Sequence, residues 1–521
     1  MPISQKNTMH KPLTRILFGL TVVWGALIFW VSPHPPMLDL PQHAGQVALL
    51  RDIVLGQSPW ADRFRLNFFT PYVLGYGLAL PLSMVMPVAA ALKLLLSLGF
   101  IGFVFFSVKL REHFKADPRL DWLFIPGFFG FAYAWGFFTF LLASAVGLGF
   151  ILLSARTVEH RTAARSAGLL AVGLAMLASH GLVFVFAWGV GVLQVLASTR
   201  RIRQLWLGLW PYALLLIAAV AYFWIGRQVH AGLEGNMDNA TQWGWGWERR
   251  RILFYAAGAG GQENSGLVFL PAFVVMAAAP WVMGLRVEWR RKSVWVPFAC
   301  VAALLLVVPH VALTTAFLYQ RFALFLFPAY AWLFALQVRH SLQPENTARM
   351  PIAGESWRGT VGVALLVATV WVVLGMHTVW AWRFARESAD FVRISRALEP
   401  GQRAIGLMFD RESVATKHKI VYIHHAAWYQ AEMQGLIDFN FAWLPPQIVR
   451  FRPDRLPAVL PLFEWKPESF DWKQHRGGDY RYFLIRHDKP VPATLFKGAP
   501  CPPQLLIAEG KWSVYERRAC P

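Results

Sequence analysis

Charged side chains are scarce in this sequence. Asp, Glu, Lys and Arg together make up 15% of its 521 residues, whereas 56% of the residues are hydrophobic. Apolar runs recur from residue 14 to about residue 380, and several are long enough to cross a hydrocarbon core of roughly 30 Å. Little charge and long apolar runs exclude an ordinary soluble enzyme, and the sequence predicts a protein that crosses a membrane many times.

Cysteine is also rare, with three residues in the whole chain, and this excludes a disulfide framework. Cys300 lies in an apolar run, where we expect an inert packing residue. Cys501 and Cys520 flank the final segment of the chain, and they would form a disulfide if that segment faces an oxidising compartment.

The sequence contains no Walker-type loop, no GxGxxG fingerprint, no paired CxxC motif and no heptad repeat, so no nucleotide site is expected. Acidic residues number 29 against 50 Lys and Arg, which gives a net charge of +21. In a soluble protein this excess would indicate nucleic acid. Here much of it lies in short loops between apolar runs, as the positive-inside rule predicts, and we expect no nucleic-acid partner.

Eleven apolar segments are predicted to span the membrane. The first follows a basic N-terminus; because it is too long for a signal peptide and no cleavage site follows, we interpret it as an uncleaved span. The predicted spans are residues 14–32, 89–109, 120–137, 139–155, 165–180, 181–198, 205–226, 266–286, 294–311, 322–338 and 360–379.

A twelfth apolar run, residues 68–87, is shorter and contains three prolines and two tyrosines. These features favour an interfacial or re-entrant helix over a full span. Leaving it out of the count places the Lys/Arg-rich loops together on the cytoplasmic side, with the N-terminus inside and the C-terminus outside.

The sequence therefore predicts two domains. Residues 1–379 form an all-α polytopic membrane bundle with a large first outside loop, residues 33–88. Residues 380–521 differ in composition and predict a small α/β domain outside the cytoplasm. In that domain "FVRISRALEP" indicates an amphipathic helix, "QRAIGLMF" and "YRYFLIR" indicate strands, and "LLIAEGKWSVYER" indicates a hairpin that turns at Gly510.

The stretch "PPMLDLPQHAG" places Asp39 and His43 directly after the first span, ahead of the helical pattern "LPQHAGQVALLRDIVLG". One interpretation is structural, with Asp39 as the N-cap and His43 on the polar face of a juxtamembrane helix. The other is chemical, with Asp39 as a general base that deprotonates an attacking hydroxyl and His43 as the group that orients it or shifts its pKa.

An Asp shortly after the first span, a juxtamembrane helix and then "FFTPYVLGYGLALPL" resemble the first periplasmic loop of GT-C class glycosyltransferases, such as the lipid A aminoarabinose transferases and the protein O-mannosyltransferases. The later block "GLAMLASHGLVFVFAWGVGVL" is similar to the turn between the fifth and sixth spans of that class. The resemblance covers residues 14 to 340 in layout. It implies a GT-C bundle in a bacterial inner membrane, a catalytic Asp at position 39 and a polyprenyl-phosphate sugar donor.

One departure from the family pattern concerns metal binding. Many members carry a second acidic residue between spans three and four, where this chain reads "FFGFAYAWGFFTF" without a carboxylate. A divalent metal held by two carboxylates is therefore unsupported, and we assign no metal or other cofactor.

Further candidates lie at the predicted outer face. His180 is either a hydrogen-bonded packing residue or a contact to the donor phosphate. Arg321 either anchors its span by snorkelling or holds a phosphate with its planar fork. Arg249, Arg250 and Arg251 break the positive-inside rule and bind either anionic lipid headgroups or the donor phosphate. His424 and His425 are adjacent and face different directions, so they receive no role.

The function predicted from these residues is transfer of a sugar from a polyprenyl-phosphate donor to a lipid, glycan or protein acceptor. Two alternatives remain open. A flippase for a lipid-linked saccharide would need polar groups deep within several spans, and apart from Lys93 these spans are nearly free of charge. A non-catalytic membrane partner in envelope assembly is compatible with the large tail.

Overall fold

The computed structural model describes residues 10–230, 241–243, 247–262, 265–312, 315–335 and 357–520. The helices of the membrane part are α1 (His10–Ile28), α2 (Leu40–Val54), α3 (Val73–Val85), α4 (Val88–Phe114), α5 (Phe131–Ala134), α6 (Phe138–Glu159), α7 (Ala163–Leu177), α8 (Gly181–Ser198), α9 (Ile202–His230), α10 (Arg251–Ala256), α11 (Gly266–Val282), α12 (Lys292–Val307), α13 (Leu326–Ala331) and α14 (Trp357–Glu387).

Short strands connect some of these helices. They are β1 (Phe64–Leu66), β2 (Arg286–Val287), β3 (Val311–Ala312), β4 (Thr315–Ala316) and β5 (Phe334–Ala335). The C-terminal region adds α15 (Ala389–Arg396), β6 (Arg403–Met408), α16 (Ala427–Met433), β7 (Leu436–Ile437), β8 (Val449–Phe451), β9 (Tyr482–Arg486), β10 (Gln504–Glu509) and β11 (Trp512–Glu516). The chain is therefore mostly helical, with a small sheet near its C-terminus.

In the described part of the chain, five helices are both long and apolar enough to cross a membrane: α4, α6, α8, α9 and α14 with its continuation. Shorter apolar helices lie at residues 13–28 and in α3, α7, α11 and α12. Multiple apolar helices agree with a membrane protein, but the predicted number of eleven spans is not confirmed.

Two predicted spans are wrong as continuous helices. Residues 120–137 form two 3₁₀ turns, Pro118–Phe124 and Pro126–Phe129, followed by the one-turn helix α5. Pro126 removes a helical hydrogen bond, and Gly136 reverses the chain with φ +73°. Because the segment is buried among other helices, its irregular backbone is shielded from lipid.

The second failure is residues 322–338. In its described part the structure has a 3₁₀ turn, Gln320–Phe325, then the short α13, then β5, which pairs with β2. Its side chains are almost fully buried, so an apolar run that resembles a lipid-facing span is an internal core segment. Residues 68–87 were predicted to form an interfacial or re-entrant helix and not a full span. This agrees with α3, whose 13 residues fall short of the roughly 20 needed to cross a membrane.

The C-terminal sheet has the strand order β10-β11-β9-β6-β7, with β6 parallel to both β9 and β7 and the remaining pairs antiparallel. The predicted helix, both predicted strands and the hairpin at Gly510 are confirmed. A disulfide joins Cys501 and Cys520 across the open end of that hairpin, with Cα atoms 5.7 Å apart. The predicted domain boundary near residue 380 lies inside α14, which is continuous to Glu387.

The C-terminal region is joined to the first loop along a broad contact. β8 pairs with β1 in antiparallel register, Phe64 opposite Phe451, and α16 packs along α2. One hydrophobic core runs from the membrane helices through α2 and α16 to one face of the sheet, including Trp428 and Trp512. The first loop is thus held between the helices and the C-terminal region.

Candidate functional site

Asp39 is held by the broken segment that was predicted to be the third span. Its backbone N–H donates to the Trp135 carbonyl at 2.9 Å, and the N–H of Leu38 donates to Ala134 at 3.0 Å. Gly136 lies against the same backbone: a Cβ at this position would come within 2.9 Å of the Asp39 nitrogen. The turn at residues 134–136 therefore fixes where α2 begins.

Asp39 occupies the N-cap position of α2, but its side chain accepts no capping hydrogen bond. The carboxylate is buried, and its Oδ1 lies 3.4 Å from Nε2 of His424. Burial raises the pKa of Asp39 to about 8, and the positive charge of Arg321 opposes this rise. A carboxyl group whose pKa lies near neutral pH is suited to accept a proton during a reaction.

His43 lies one helical turn after Asp39, at the start of a hydrogen-bonded chain. Its Nδ1 is 2.7 Å from the Tyr76 hydroxyl, which donates to Oε1 of Gln447 at 2.5 Å. Since the hydroxyl has one proton and gives it to Gln447, Nδ1 of His43 must donate and Nε2 is left unprotonated. Burial lowers the pKa of His43 to about 3, so the ring is neutral and offers Nε2 as an acceptor.

Arg321 is the buried cation of this cluster. Its Nε and Nη2 donate to the carbonyls of Phe317 and Ala316 at 3.3 and 2.8 Å, and its guanidinium lies 3.8 Å from the Phe137 ring centroid. Within the described part of the chain, no hydrogen bond involves Nη1 and no ion pair joins Arg321 to a carboxylate. Its charge acts on both Asp39 and His43, so it retains capacity to bind an anion.

His180 is the N-cap of α8, where its Nδ1 accepts the N–H of Leu182 at 3.3 Å. With Nδ1 as the acceptor, a neutral ring carries its proton on Nε2. The ring lies 5.2 Å from that of Tyr72, and Tyr72 is in turn affected by the charges of Arg321 and Asp39. The structure therefore brings His180 to the edge of the same cluster.

The arginine triplet is placed differently. Arg249 donates to the carbonyls of Leu305, Trp243 and Val308, and its guanidinium lies 4.3 Å from the Tyr319 ring centroid. Arg249 therefore stabilises the position of the segment that directly precedes Arg321. Arg250 and Arg251 are exposed. Of the predicted phosphate-binding arginines, Arg321 is the one whose charge acts on Asp39.

Sequence reasoning missed residues that the C-terminal region contributes. His424 contacts Asp39, although it was assigned no role. Glu464 is buried, its Oε2 has no hydrogen-bond partner in the described residues, and burial together with the charge of Asp39 raises its pKa to about 8. Tyr72 and Tyr76 could have been found, because their spacing of four places both on one face of a helix.

A metal site is not evident in this cluster. No group of three or more His, Cys, Asp or Glu side chains in the described ranges is arranged to hold a metal ion. The titratable groups of the cluster are instead three neutral histidines, two tyrosines, an arginine and one further carboxyl group, Glu464.

No family model matches the chain, and no curated protein matches it. Solved structures do. Crystal structures of ArnT from Cupriavidus metallidurans match over 97% of this chain and 98% of ArnT when bound to undecaprenyl phosphate (12% identity, TM-score 0.56), and over 98% of both chains in the apo state (11% identity, TM-score 0.55). A cryo-EM structure of a mutant of the arabinofuranosyltransferase AftD from Mycobacteria matches over 96% of this chain and 41% of AftD (14% identity, TM-score 0.51). This chain has the GT-C fold of these glycosyltransferases.

Proposed function

We propose that the protein is a membrane glycosyltransferase that takes a sugar from a polyprenyl-phosphate donor, with Asp39 as general base. The observation that carries the proposal is the pair Asp39 and Arg321. The buried carboxyl group and the buried guanidinium shift each other's pKa without forming an ion pair. With a pKa of about 8, the Asp39 carboxyl group is mostly protonated at neutral pH, so the buried cation of Arg321 has no carboxylate to compensate it. Leaving a buried charge uncompensated costs several kcal/mol, and an anionic donor phosphate bound by Arg321 would offset this cost.

In the proposed reaction a hydroxyl of the acceptor attacks the anomeric carbon of the sugar. Asp39 removes the hydroxyl proton as the new C–O bond forms, and the bond between the anomeric carbon and the phosphate oxygen breaks. The leaving polyprenyl phosphate retains the electron pair, and Arg321 stabilises its negative charge. General-base assistance of this kind is worth about 10²–10⁴-fold in rate.

The neutral histidines have complementary roles in this scheme. Nε2 of His43 is an acceptor and would bind a hydroxyl of the sugar or the acceptor, while Nε2–H of His180 is a donor and would bind a phosphate oxygen. The match to ArnT bound to undecaprenyl phosphate supports a lipid-phosphate donor. The nature of the acceptor, whether lipid, glycan or protein, is left to experiment.

We further propose that the protein lies in a bacterial inner membrane with its C-terminal domain in the periplasm. A reporter that is active only outside the cytoplasm should be active after residue 400 and inactive after residue 115. Activity at residue 115 would contradict this orientation.

The decisive test follows the lipid product. A strain that lacks the gene should accumulate a polyprenyl-phosphate-linked sugar, and this lipid can be extracted as donor. Purified protein in vesicles that contain the extracted donor and envelope membranes should release polyprenyl phosphate, measured by mass spectrometry. Asp39→Asn should release none above background. Movement of intact donor between leaflets without release would identify a flippase, and neither activity would favour an assembly partner.

A further inference from the structure

The segment that precedes α16 brings the C-terminal domain directly onto the helix that begins at Asp39. Gly45 of α2 faces α16 so closely that a Cβ would lie 2.7 Å from Nε2 of Gln430. At the next residue of α2, Oε1 of Gln46 accepts the backbone N–H of Val449 at 3.1 Å. These contacts fix the position of the C-terminal region along α2, and the same interface places His424 beside Asp39.

Gln42 determines how the ring of His424 is presented. Its Oε1 accepts the backbone N–H of Phe441 at 3.0 Å, and its Nε2 lies 3.4 Å from both the Phe439 carbonyl and Nδ1 of His424. A backbone N–H can only donate, so the amide oxygen must face Phe441 and the NH₂ group must face His424. Nδ1 of His424 is consequently an acceptor.

The proton of the neutral His424 ring must then lie on Nε2, the atom 3.4 Å from Oδ1 of Asp39. Burial lowers the pKa of His424 to about 3, so the contact joins a neutral N–H to the Asp39 carboxyl group and is not an ion pair. The distance exceeds that of a good hydrogen bond. Such contacts are often long in ligand-free enzymes and shorten when substrate binds.

We propose that His424 is a positioning residue for the transfer reaction: the C-terminal domain supplies an imidazole N–H that orients the Asp39 carboxylate and favours its ionised form. This inference rests on the proposed function. It makes the C-terminal domain part of the reaction centre, because Asp39 is properly presented only while the domain is docked on α2.

The other groups that act on Asp39 define the background for a test. Arg321 carries a positive charge that favours the carboxylate. Glu464 is a second carboxyl group within electrostatic reach of Asp39, and Tyr72 and Tyr76 are neutral hydroxyls close enough to sense its charge. Replacing His424 leaves all of these in place, so a change in the titration of Asp39 can be attributed to the lost N–H.

A first experiment measures the protonation of Asp39 without requiring turnover. Dicyclohexylcarbodiimide labels protonated carboxyl groups in apolar surroundings, and the labelled Asp39 peptide of the full-length protein can be quantified by mass spectrometry. Labelling of the wild type should fall with rising pH about a midpoint near 8. In His424→Phe, which retains ring volume but has no N–H, the midpoint should rise by about half a pH unit or more.

Two further variants complete this experiment. His424→Gln retains an N–H donor and should restore the midpoint toward that of the wild type. His487→Phe is the matched control, since His487 belongs to the same domain but binds Ser513 in the sheet, and its midpoint should not move. A wild-type midpoint in a folded His424→Phe protein would overturn the proposal, as would a rise that His424→Gln fails to correct.

A second experiment measures transfer with the extracted donor in vesicles. His424→Phe should reduce kcat by roughly tenfold with little change in KM, His424→Gln should recover most of the loss, and His487→Phe should behave as the wild type. Unchanged kcat in His424→Phe would contradict the positioning role. If the wild type itself shows no transfer, the proposed function fails, whereas the labelling experiment still reports the Asp39–His424 contact.

Discussion

Two of the contacts between the first loop and the C-terminal region join a carboxyl group to an imidazole, and they differ in almost every respect. At one, Nε2 of His34 lies 2.7 Å from Oε1 of Glu432, whose side chain is 38% exposed, and the His34 ring stacks on Trp428 with centroids 4.1 Å apart. At the other, Asp39 and His424 are both buried and are separated by 3.4 Å. A carboxyl group faces an imidazole in each case. The C-terminal region supplies the carboxyl group at the first contact, and the first loop supplies it at the second.

The difference separates a contact that holds the structure from one that is available for chemistry. The His34–Glu432 contact is short, the buried His34 ring stacks on Trp428, and Glu432 is partly exposed. The backbone beside His34 is held by Lys93, which donates to the carbonyls of Ser32 and Pro33 at 3.1 Å. Within the described residues the Asp39 side chain makes no hydrogen bond, and His424 lies 3.4 Å from it. The proposed site would need such a group to be available to substrate, whereas the short His34–Glu432 contact lies only a few residues away.

The largest effect is expected from Asp39→Asn. An amide cannot accept a proton at neutral pH, so transfer should fall by at least about 100-fold, measured as release of polyprenyl phosphate. Stability should not fall, because the side chain makes no capping bond. The folded pKa of about 8 lies above the ordinary value, so ionisation opposes folding as pH rises, and Asn avoids that cost. Full activity in a well-folded Asp39→Asn protein would show that the Asp39–His424 contact, like the His34–Glu432 contact, has only a structural role.

A smaller loss is expected from Arg321→Lys. Lys retains the charge but not the planar fork, and losing one charge-assisted hydrogen bond corresponds to roughly a tenfold loss or somewhat more. Binding of undecaprenyl phosphate should weaken, which can be measured by native mass spectrometry. Arg286→Lys is a suitable control because Arg286 is an exposed arginine in β2. Equal binding by both variants would leave Arg321 as an anchor for its segment.

Gly136→Ala should affect Asp39 through the backbone. The φ of +73° at this position costs an L-residue about 1–2 kcal/mol, and the added Cβ would approach the nitrogens of Leu40 and Asp39 to 2.8 and 2.9 Å. The melting temperature and transfer should both decrease. Gly375→Ala, where no atom lies within 4 Å of the new Cβ, should lower neither. Normal transfer by Gly136→Ala would show that Asp39 tolerates displacement.

The smallest effect is expected at the structural contact. Glu432→Gln retains a polar partner for His34, and a partly exposed pair contributes less than about 1 kcal/mol. Thermal unfolding should change slightly and transfer should remain at the wild-type level. A large loss of transfer in a stable Glu432→Gln protein would show that the His34–Glu432 contact also contributes to the reaction.

The sequence predicts those parts of the molecule that depend on local patterns. Helical spacing located α2, and alternation located the strands around Gly510, because neighbouring residues determine both. Asp39, His43, His180 and Arg321 were selected as candidates because polar groups stand out beside apolar runs. His424 and Glu464 were missed since their partners lie in the first loop, and no local pattern relates residues so distant in sequence. Residues 120–137 have the composition of a span, and only their burial in three dimensions distinguishes them.

The contact between Gln42 and His424 joins residues separated by 382 positions in the chain, and this separation has a consequence for biogenesis. In the orientation proposed above, the first loop would leave the cytoplasm long before the segment around α16 has been made. Until that segment arrives, Asp39 lacks the burial that the C-terminal region contributes, and we expect its pKa to lie closer to the ordinary value of 3.8. We therefore expect the nascent protein to be inserted but inactive, and the proposed reaction centre to be complete only when the C-terminal region has been made and has docked on α2.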